Sequence, residues 1–135
     1  LDEMIVETEQ FIGQFRAMAR DSRAQGRRLA VWGAGGRCVA LLALVQAQDL
    51  GIAYVVDSDP RKWGRFTPVT HLPVVGPEAL QRDPVHDLVI AATAFQDEIV
   101  QQLAWFASAG GRLGVLQPEP RWINEAEVGQ HVAVG

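Results

Sequence analysis

The spacing of apolar residues along the chain predicts alternating strands and helices. Near the start, apolar residues from Met4 to Ala19 recur every three or four positions, which predicts an amphipathic helix that ends at Gly26. Short, nearly continuous apolar runs predict buried strands at 29–32, 52–56, 72–75, 87–92 and 113–116. Apolar residues at helical spacing predict helices at 39–50 and 96–109, with one or two helical turns at 77–80.

This alternation predicts a single α/β domain, because parallel neighbouring strands need crossover connections that cover the faces of the sheet. We expect a Rossmann-like, doubly wound parallel sheet of about five strands between two helical layers, a three-layer αβα arrangement. Residues 1–26 make the N-terminal helix, residues 28–117 the α/β core, and residues 118–135 a tail without a strong period. Ligands of such sheets bind at the carboxyl ends of the strands, where the strand order reverses.

Composition narrows the class of protein. The formal net charge of −4 and the pI of about 5.3 argue against nucleic-acid binding, which needs clustered Lys and Arg. No apolar run is long enough to span a membrane, and the acidic N-terminus does not resemble a signal peptide. We expect a cytoplasmic protein. Because the sequence begins with Leu1, we also expect it to be a piece of a longer one.

Neither the cysteine nor the histidines predict a metal site. Cys38 is the only cysteine, so a Cys-based zinc site and a disulfide framework are both excluded. His71, His86 and His131 are not at metal-ligand spacing. Cys38 is expected to be a small packing residue, and His71 a loop residue that lacks a catalytic partner. We therefore predict no metal and no catalytic residue within the chain.

A glycine-rich turn is the main candidate for a ligand site. Gly33, Ala34, Gly35, Gly36 and Arg37 follow a predicted strand and open a predicted helix. Glycine lets a ligand approach the backbone closely, and the free amides and dipole at a helix N-terminus favour an anion such as a phosphate. In the dinucleotide-binding pattern G-x-G-x-x-G, the place of the third glycine is taken by Cys38. The alternative interpretation is structural: a tight turn needs glycine at these positions whether or not a ligand binds there.

Other candidate residues follow the predicted strands. Asp57 ends the second strand, where its carboxylate could accept hydrogen bonds from a ribose, or could merely cap the turn that follows. Asp59 lies in that turn, and Lys62 and Arg37 could either contact phosphates or remain solvated. Thr93, after the fourth strand, lies at the expected ligand edge or caps the next helix.

The order of several motifs resembles one family. The motifs are Gly33-Ala34-Gly35, the segment 57–64 (Asp-Ser-Asp-Pro-Arg-Lys-Trp-Gly), His71-Leu72-Pro73-Val74, Pro77-Glu78-Ala79-Leu80 and the segment 95–99 (Phe-Gln-Asp-Glu-Ile). Together they resemble the C-terminal domain of sugar C-methyltransferases over residues 29–116. The regulatory Rossmann-like domains of nucleotide-sugar epimerases and dehydratases have similar elements. The sequence departs from the family pattern at Cys38, where glycine is usual, and at Asp59, where Asn is common.

The resemblance implies a function as part of a larger enzyme. In that family an S-adenosylmethionine (SAM) domain and a cysteine-rich zinc domain precede this one, which would help to position the nucleotide-sugar substrate beside the catalytic domain. The isolated chain is then not expected to catalyse methylation. Two alternatives stay open: an NAD(P)-binding module of a dehydrogenase or epimerase, in which Asp57 selects NAD, and a non-catalytic interaction domain with an empty site.

Overall fold

The computed structural model describes the backbone of residues 2–134 and the side chains of residues 8–130. The strands are β1 (Leu29–Trp32), β2 (Ile52–Val56), β3 (Val74–Val75), β4 (Asp87–Ile90), β5 (Arg112–Val115) and β6 (Arg121–Ile123). The helices are α1 (Asp2–Ala24), α2 (Gly36–Leu44), α3 (Ala79–Arg82), α4 (Gln96–Gln102), α5 (Ala104–Ser108) and α6 (Glu125–Val134). Single 3₁₀ turns lie at Ala47–Asp49, Pro60–Lys62 and Thr93–Phe95.

The described strands form one sheet in the order β3-β2-β1-β4-β5-β6. All neighbours are parallel except β5 and β6, which are antiparallel. From β1 the chain moves outward through β2 to β3, and then returns to place β4 on the other side of β1. The connections that leave β1 and β4 therefore diverge, which opens a crevice at the carboxyl ends of these two strands. This topology confirms the predicted doubly wound α/β fold.

Both faces of the sheet are covered, because neighbouring residues of each central strand point to opposite sides. Ala30, Trp32 and Ile90 belong to one buried cluster together with residues of α3, α4, α5 and α6. Val31 and Val89 belong to a second cluster together with residues of α1 and α2. Burial on both faces explains why these strands are continuous apolar runs, and the three layers are those that the sequence predicts.

Some elements differ from the sequence prediction. The helix expected at 96–109 is divided into α4 and α5 at the buried residue Leu103. The helix expected at 39–50 begins earlier, at Gly36, and ends at Leu44, and Gln46 then adopts a left-handed conformation (φ 55°) before the 3₁₀ turn.

The tail, for which the apolar pattern predicts no element, contains β6 and α6. Strand β6 has three residues, too few to show a period, and it forms because β5 offers an open edge. Ile123 and Val128 then bury against the sheet. The side chains of Met4 and Ile5, and that of His131, lie outside the described ones.

A buried carboxylate joins the elements at the amino end of the sheet. The Asp87 side chain is fully buried, with Arg27 Nη2 2.8 Å from its Oδ1 and Arg112 Nη2 2.9 Å from its Oδ2. Arg112 also pairs with Asp21 of α1 at 3.1 Å, and its guanidinium lies 3.9 Å from the centre of the Trp122 ring. Burial by itself raises the pKa of the Asp87 carboxyl, but hydrogen bonds from Arg112 and Arg27 outweigh it, so the pKa lies below its usual value.

The turn between β1 and α2 requires glycine at its first position. Gly33 has φ 129°, a conformation that side chains rarely allow, and its amide donates to the carbonyl of Val56 at 2.7 Å. A Cβ at Gly33 would stand 2.6 Å from Cys38 Sγ and 3.1 Å from the amide nitrogen of Ala92. At Gly36, by contrast, no described atom would lie within 4 Å of a Cβ, apart from the chain neighbours and the backbone of its own helix. The chain therefore packs closely around Gly33 and leaves space beside Gly36.

We expect Asp87→Ala to lower the free energy of unfolding by about 3 kcal/mol, because it leaves two arginines without their buried partner. Urea denaturation followed by circular dichroism measures this loss. Asp83→Ala is the matched control, since it removes an exposed carboxylate that pairs with Arg28 at 2.7 Å, and we expect its denaturation midpoint to stay near that of the wild type. Equal midpoints for the two variants would contradict a stabilising role for Asp87.

The stabilisation from Asp87 should also depend on pH. Because the pKa of Asp87 is lower in the folded than in the unfolded state, its contribution is present above the unfolded pKa of about 3.9 and is lost as the pH falls through the folded pKa. The difference in unfolding free energy between wild type and Asp87→Asn should therefore be constant above about pH 5 and shrink below about pH 4. Urea titrations from neutral to acid pH test this, and a constant difference throughout would contradict it.

Alanine substitutions at Gly33 and Gly36 should change the free energy of unfolding differently. Gly33→Ala is expected to lower the free energy of unfolding by about 2 kcal/mol or more, because alanine meets both an unfavourable φ and the sulphur of Cys38. Gly36→Ala should leave it unchanged or raise it by up to about 1 kcal/mol, since alanine favours helix and the space is open. Chemical denaturation of both variants provides the comparison, and a similar loss in both would show that the packing around Gly33 is not decisive.

Candidate functional site

A cleft of about 520 Å³ opens at the carboxyl ends of β1 and β4. All the residues that the sequence predicts to bind a ligand line it, except Ala34 and Asp59. Its lining residues are Trp32, Gly33, Gly35, Gly36, Arg37, Cys38, Asp57, Ser58, Lys62, Ala91, Ala92, Thr93, Ala94, Phe95, Glu98, Ile99 and Gln102. The crevice therefore lies at the edge of the sheet that the strand order predicts.

Some backbone amides of the glycine turn donate hydrogen bonds within the protein, and others have no acceptor among the described residues. The amide of Gly33 donates to Val56, and that of Ala34 donates to Asp57 Oδ2 at 2.9 Å. No hydrogen bond among the described residues uses the amides of Gly36 and Arg37, which lie in the first turn of α2. Gly35, which precedes the helix, offers no side-chain cap. The first turn of α2 thus presents unpaired N–H groups beside the cleft, where the helix dipole favours negative charge.

Asp57 connects two turns within the protein. Its Oδ2 accepts the Ala34 amide at 2.9 Å, and its Oδ1 accepts the Asp59 amide at 2.8 Å. Its side chain is 13% exposed, and Lys62 Nζ lies 3.7 Å from Oδ2. Both oxygens therefore have a backbone partner, as the turn-capping interpretation predicts. Each oxygen can accept a further hydrogen bond, so contact with a ribose stays a prediction.

The basic residues that follow β2 point in different directions. Lys62 lines the cleft, and its Nζ stands 3.8 Å from the position of a Cβ at Gly35. Arg61, on the same 3₁₀ turn, is 90% exposed and pairs with Asp59 at 3.0 Å. The hydrogen bond from the Arg61 side chain holds the pKa of the Asp59 carboxyl below its usual value. Asp59 thus pairs with Arg61 outside the cleft, whereas Lys62 covers the glycine turn.

The wall opposite the glycine turn was largely missed by sequence reasoning. Of the residues in this wall, the sequence predicts a ligand contact only for Thr93, whose hydroxyl makes no hydrogen bond among the described residues and does not cap α4. Phe95 and Glu98 enter the sequence analysis only as part of the family motif at 95–99. Phe95, Glu98 and Gln102 also line the cleft. Glu98 and Gln102, four residues apart, lie on one side of α4, and Phe95 ends the 3₁₀ turn that leads into this helix. The polar pair Glu98 and Gln102, shortly after a strand that ends at the predicted ligand edge, is the signal that could have identified this wall.

The remaining candidates have structural positions. Cys38 is buried in the floor of the cleft, and burial raises the pKa of its thiol, as expected of a packing residue. His86 Nδ1 accepts the Arg28 amide at 2.8 Å, away from the cleft, and His71 lies in an exposed loop with φ 52°. Trp63 donates its indole N–H to the Asp57 carbonyl at 2.7 Å.

Two features are absent from the described residues. No group of three or more His, Cys, Asp and Glu side chains is arranged to hold a metal ion. None of the helices in this part of the chain combines the length and the apolar character needed to cross a membrane.

Comparison with known proteins identifies the family. The model of the family described as "C-methyltransferase C-terminal domain" matches residues 4–118. The C-methyltransferase NovU of Streptomyces niveus is 30% identical over 116 residues, which cover 86% of this chain and 28% of NovU. Among solved structures, UDP-D-quinovosamine 4-dehydrogenase from Vibrio fischeri is similar with a TM-score of 0.46 and 14% identity, over 77% of this chain and 84% of that chain.

The family match covers the glycine turn, Asp57, Lys62 and both walls of the cleft. It confirms the resemblance that the sequence motifs indicate. The chain spans little more than a quarter of the length of NovU, 28%. This chain belongs to the family of C-methyltransferase C-terminal domains.

Proposed function

We propose that this chain is the substrate-binding domain of a sugar C-methyltransferase, and that its cleft holds the diphosphate group of a nucleotide sugar. The observation that carries the proposal is the unpaired amides of Gly36 and Arg37, which lie beside Lys62 at the carboxyl edge of the sheet. Backbone donors, a helix N-terminus and a cation that converge on one opening favour an anion.

The charges near the glycine turn support this choice. The distance of 3.7 Å between Lys62 Nζ and Asp57 Oδ2 is longer than the 2.7–3.0 Å of the four ion pairs Arg27–Asp87, Arg28–Asp83, Arg61–Asp59 and Arg112–Asp87. Asp57 already has two amide donors, so Lys62 can move toward a phosphate without leaving the carboxylate unpaired. The exposed side chain of Arg37 adds a second cation at the same edge.

The size and the lining of the cleft fit a ligand of this kind. Its volume of about 520 Å³ lies within the range of roughly 300–1,000 Å³ that is usual for small-molecule sites. The floor is apolar, with Trp32, Ala91 and Ala92, and the polar groups lie on the two sides. A largely apolar floor with few convergent polar groups is typical of a binding site.

The proposed contribution to methylation is positioning. Methyl transfer needs the acceptor carbon held in line with the methyl group, which S-adenosylmethionine supplies when it is bound elsewhere in the larger enzyme. Cys38 is unsuited to act as a nucleophile, because its thiol is buried and its pKa is raised. The residues of this cleft would bind and orient the substrate, and a separate catalytic domain would carry the SAM site.

Thermal unfolding with a panel of ligands tests the proposal. We expect dTDP-glucose and UDP-glucose to raise the melting temperature further as the ligand concentration rises, by the equivalent of about 2.7 kcal/mol of unfolding free energy at one hundred times Kd. NAD, NADP and S-adenosylmethionine form the comparison set, and glucose is the uncharged control. Stabilisation by NAD or NADP alone would indicate a nicotinamide-binding module instead. No shift with any ligand would indicate an interaction domain with an empty site.

A pair of charge substitutions tests the role of Lys62. We expect Lys62→Gln to weaken dTDP-glucose binding about tenfold or more, because a hydrogen bond from a charged donor contributes about 1.5–3 kcal/mol. Arg61→Gln is the matched control, since Arg61 lies on the same turn but is 90% exposed and outside the cleft. Isothermal titration calorimetry of both variants gives the affinities. An equal loss in both, or in neither, would exclude a direct contact between Lys62 and the diphosphate.

A further inference from the structure

The two walls of the cleft have different chemistry. The wall at the glycine turn carries the open amides and the cations Arg37 and Lys62. The opposite wall carries the aromatic ring of Phe95, at the end of the 3₁₀ turn before α4, and then the carboxylate of Glu98 and the amide of Gln102 on α4. A ligand that spans the cleft must therefore have a charged part and an uncharged part, in a fixed direction.

Glu98 sets that direction. A diphosphate beside this carboxylate would meet a like charge in a partly enclosed space, so it is kept at the opposite wall. The group that lies against α4 must be uncharged and must offer hydrogen-bond donors, because an ionised carboxylate only accepts. Gln102, one turn further along the same side of α4, both donates and accepts.

Phe95 favours a flat partner. Its side chain is 64% exposed although it lines the cleft, so the ring presents apolar surface to the space where a ligand would lie. A nucleobase offers an unsubstituted π-face that stacks on such a ring, and an edge with N–H and C=O groups that can reach Glu98 and Gln102. A sugar ring carries hydroxyl groups around its rim and has no π-face. The arrangement of the three residues therefore suits a base better than a sugar.

We infer that Phe95, with Glu98 and Gln102, binds the nucleobase, so that this domain holds the nucleoside diphosphate half of its substrate and leaves the sugar at the open side. This inference rests on the proposed function and adds to it which half of the ligand the chain recognises. The sugar, which is the part to be methylated, then stays accessible to a catalytic domain.

The test compares Phe95→Ala with Phe66→Ala. Both phenylalanines are 64% exposed, but Phe66 lies outside the cleft, so its removal controls for the loss of an exposed aromatic ring. Calorimetric titrations use thymidine diphosphate, uridine diphosphate, dTDP-glucose, glucose 1-phosphate and pyrophosphate. Circular dichroism confirms that each variant is folded.

We expect Phe95→Ala to weaken the binding of both nucleoside diphosphates and of dTDP-glucose by roughly 5- to 150-fold, the range given by base–aromatic stacking. Pyrophosphate affinity should be unchanged, Phe66→Ala should behave as wild type, and Phe95→Tyr should restore most of the binding. In saturation-transfer NMR of the wild type with dTDP-glucose, the base protons should receive more magnetisation than the glucose protons.

The inference is overturned if Phe95→Ala binds thymidine diphosphate as the wild type does, or if it loses glucose 1-phosphate by the same factor. In either case binding of dTDP-glucose to the wild type would leave the proposed function intact. If the wild type binds none of the five ligands, the proposed function itself fails and the assignment of the base fails with it.

Discussion

The hydrogen bonds of the Asp57 carboxylate determine how the cleft is built. One oxygen accepts the Ala34 amide of the β1–α2 turn, and the other accepts the Asp59 amide of the turn after β2. These bonds join two loops that are far apart in sequence, and they place Lys62 above the glycine turn. With the Ala34 amide already paired, the amides at the start of α2 are the ones left for a ligand. In the pattern of a dinucleotide site, an acidic residue at this position contacts the ligand. In this chain the carboxylate of Asp57 holds the two turns of the cleft together.

The buried ion-pair cluster around Asp87 and the cleft lie at opposite ends of the sheet. The buried carboxylate of Asp87, at the start of β4, joins α1, β4 and β5 through two arginines. The cleft lies at the other end of β4, where Ala91, Ala92 and Thr93 follow the strand. Because the four residues of β4 separate the two ends, the cleft can expose an aromatic ring and unpaired amides while the ion-pair cluster stabilises the fold.

The glycine turn shows how the chain accommodates cysteine at the third position of its motif. Gly33 has no side chain, and Cys38 Sγ occupies the space where its Cβ would lie. The thiol is small enough to pack against the backbone of Gly33 and remain buried. The departure from the usual glycine therefore preserves close contact between helix and strand, and the start of α2 keeps its position at the cleft.

Local patterns in the sequence account for the elements and the class of fold. Apolar runs placed the five parallel strands, and the order of strands and helices predicted the fold, because burial on both faces and the crossover connections leave few alternatives. The glycine turn was also recognisable as a candidate site, whereas Lys62 could equally have been a solvated residue. The folded structure alone shows the partner of Asp57, the pairing of β6 with β5, and the placement of Phe95 and Glu98 in the cleft. These features depend on contacts between segments distant in sequence, and no local pattern encodes which segments meet.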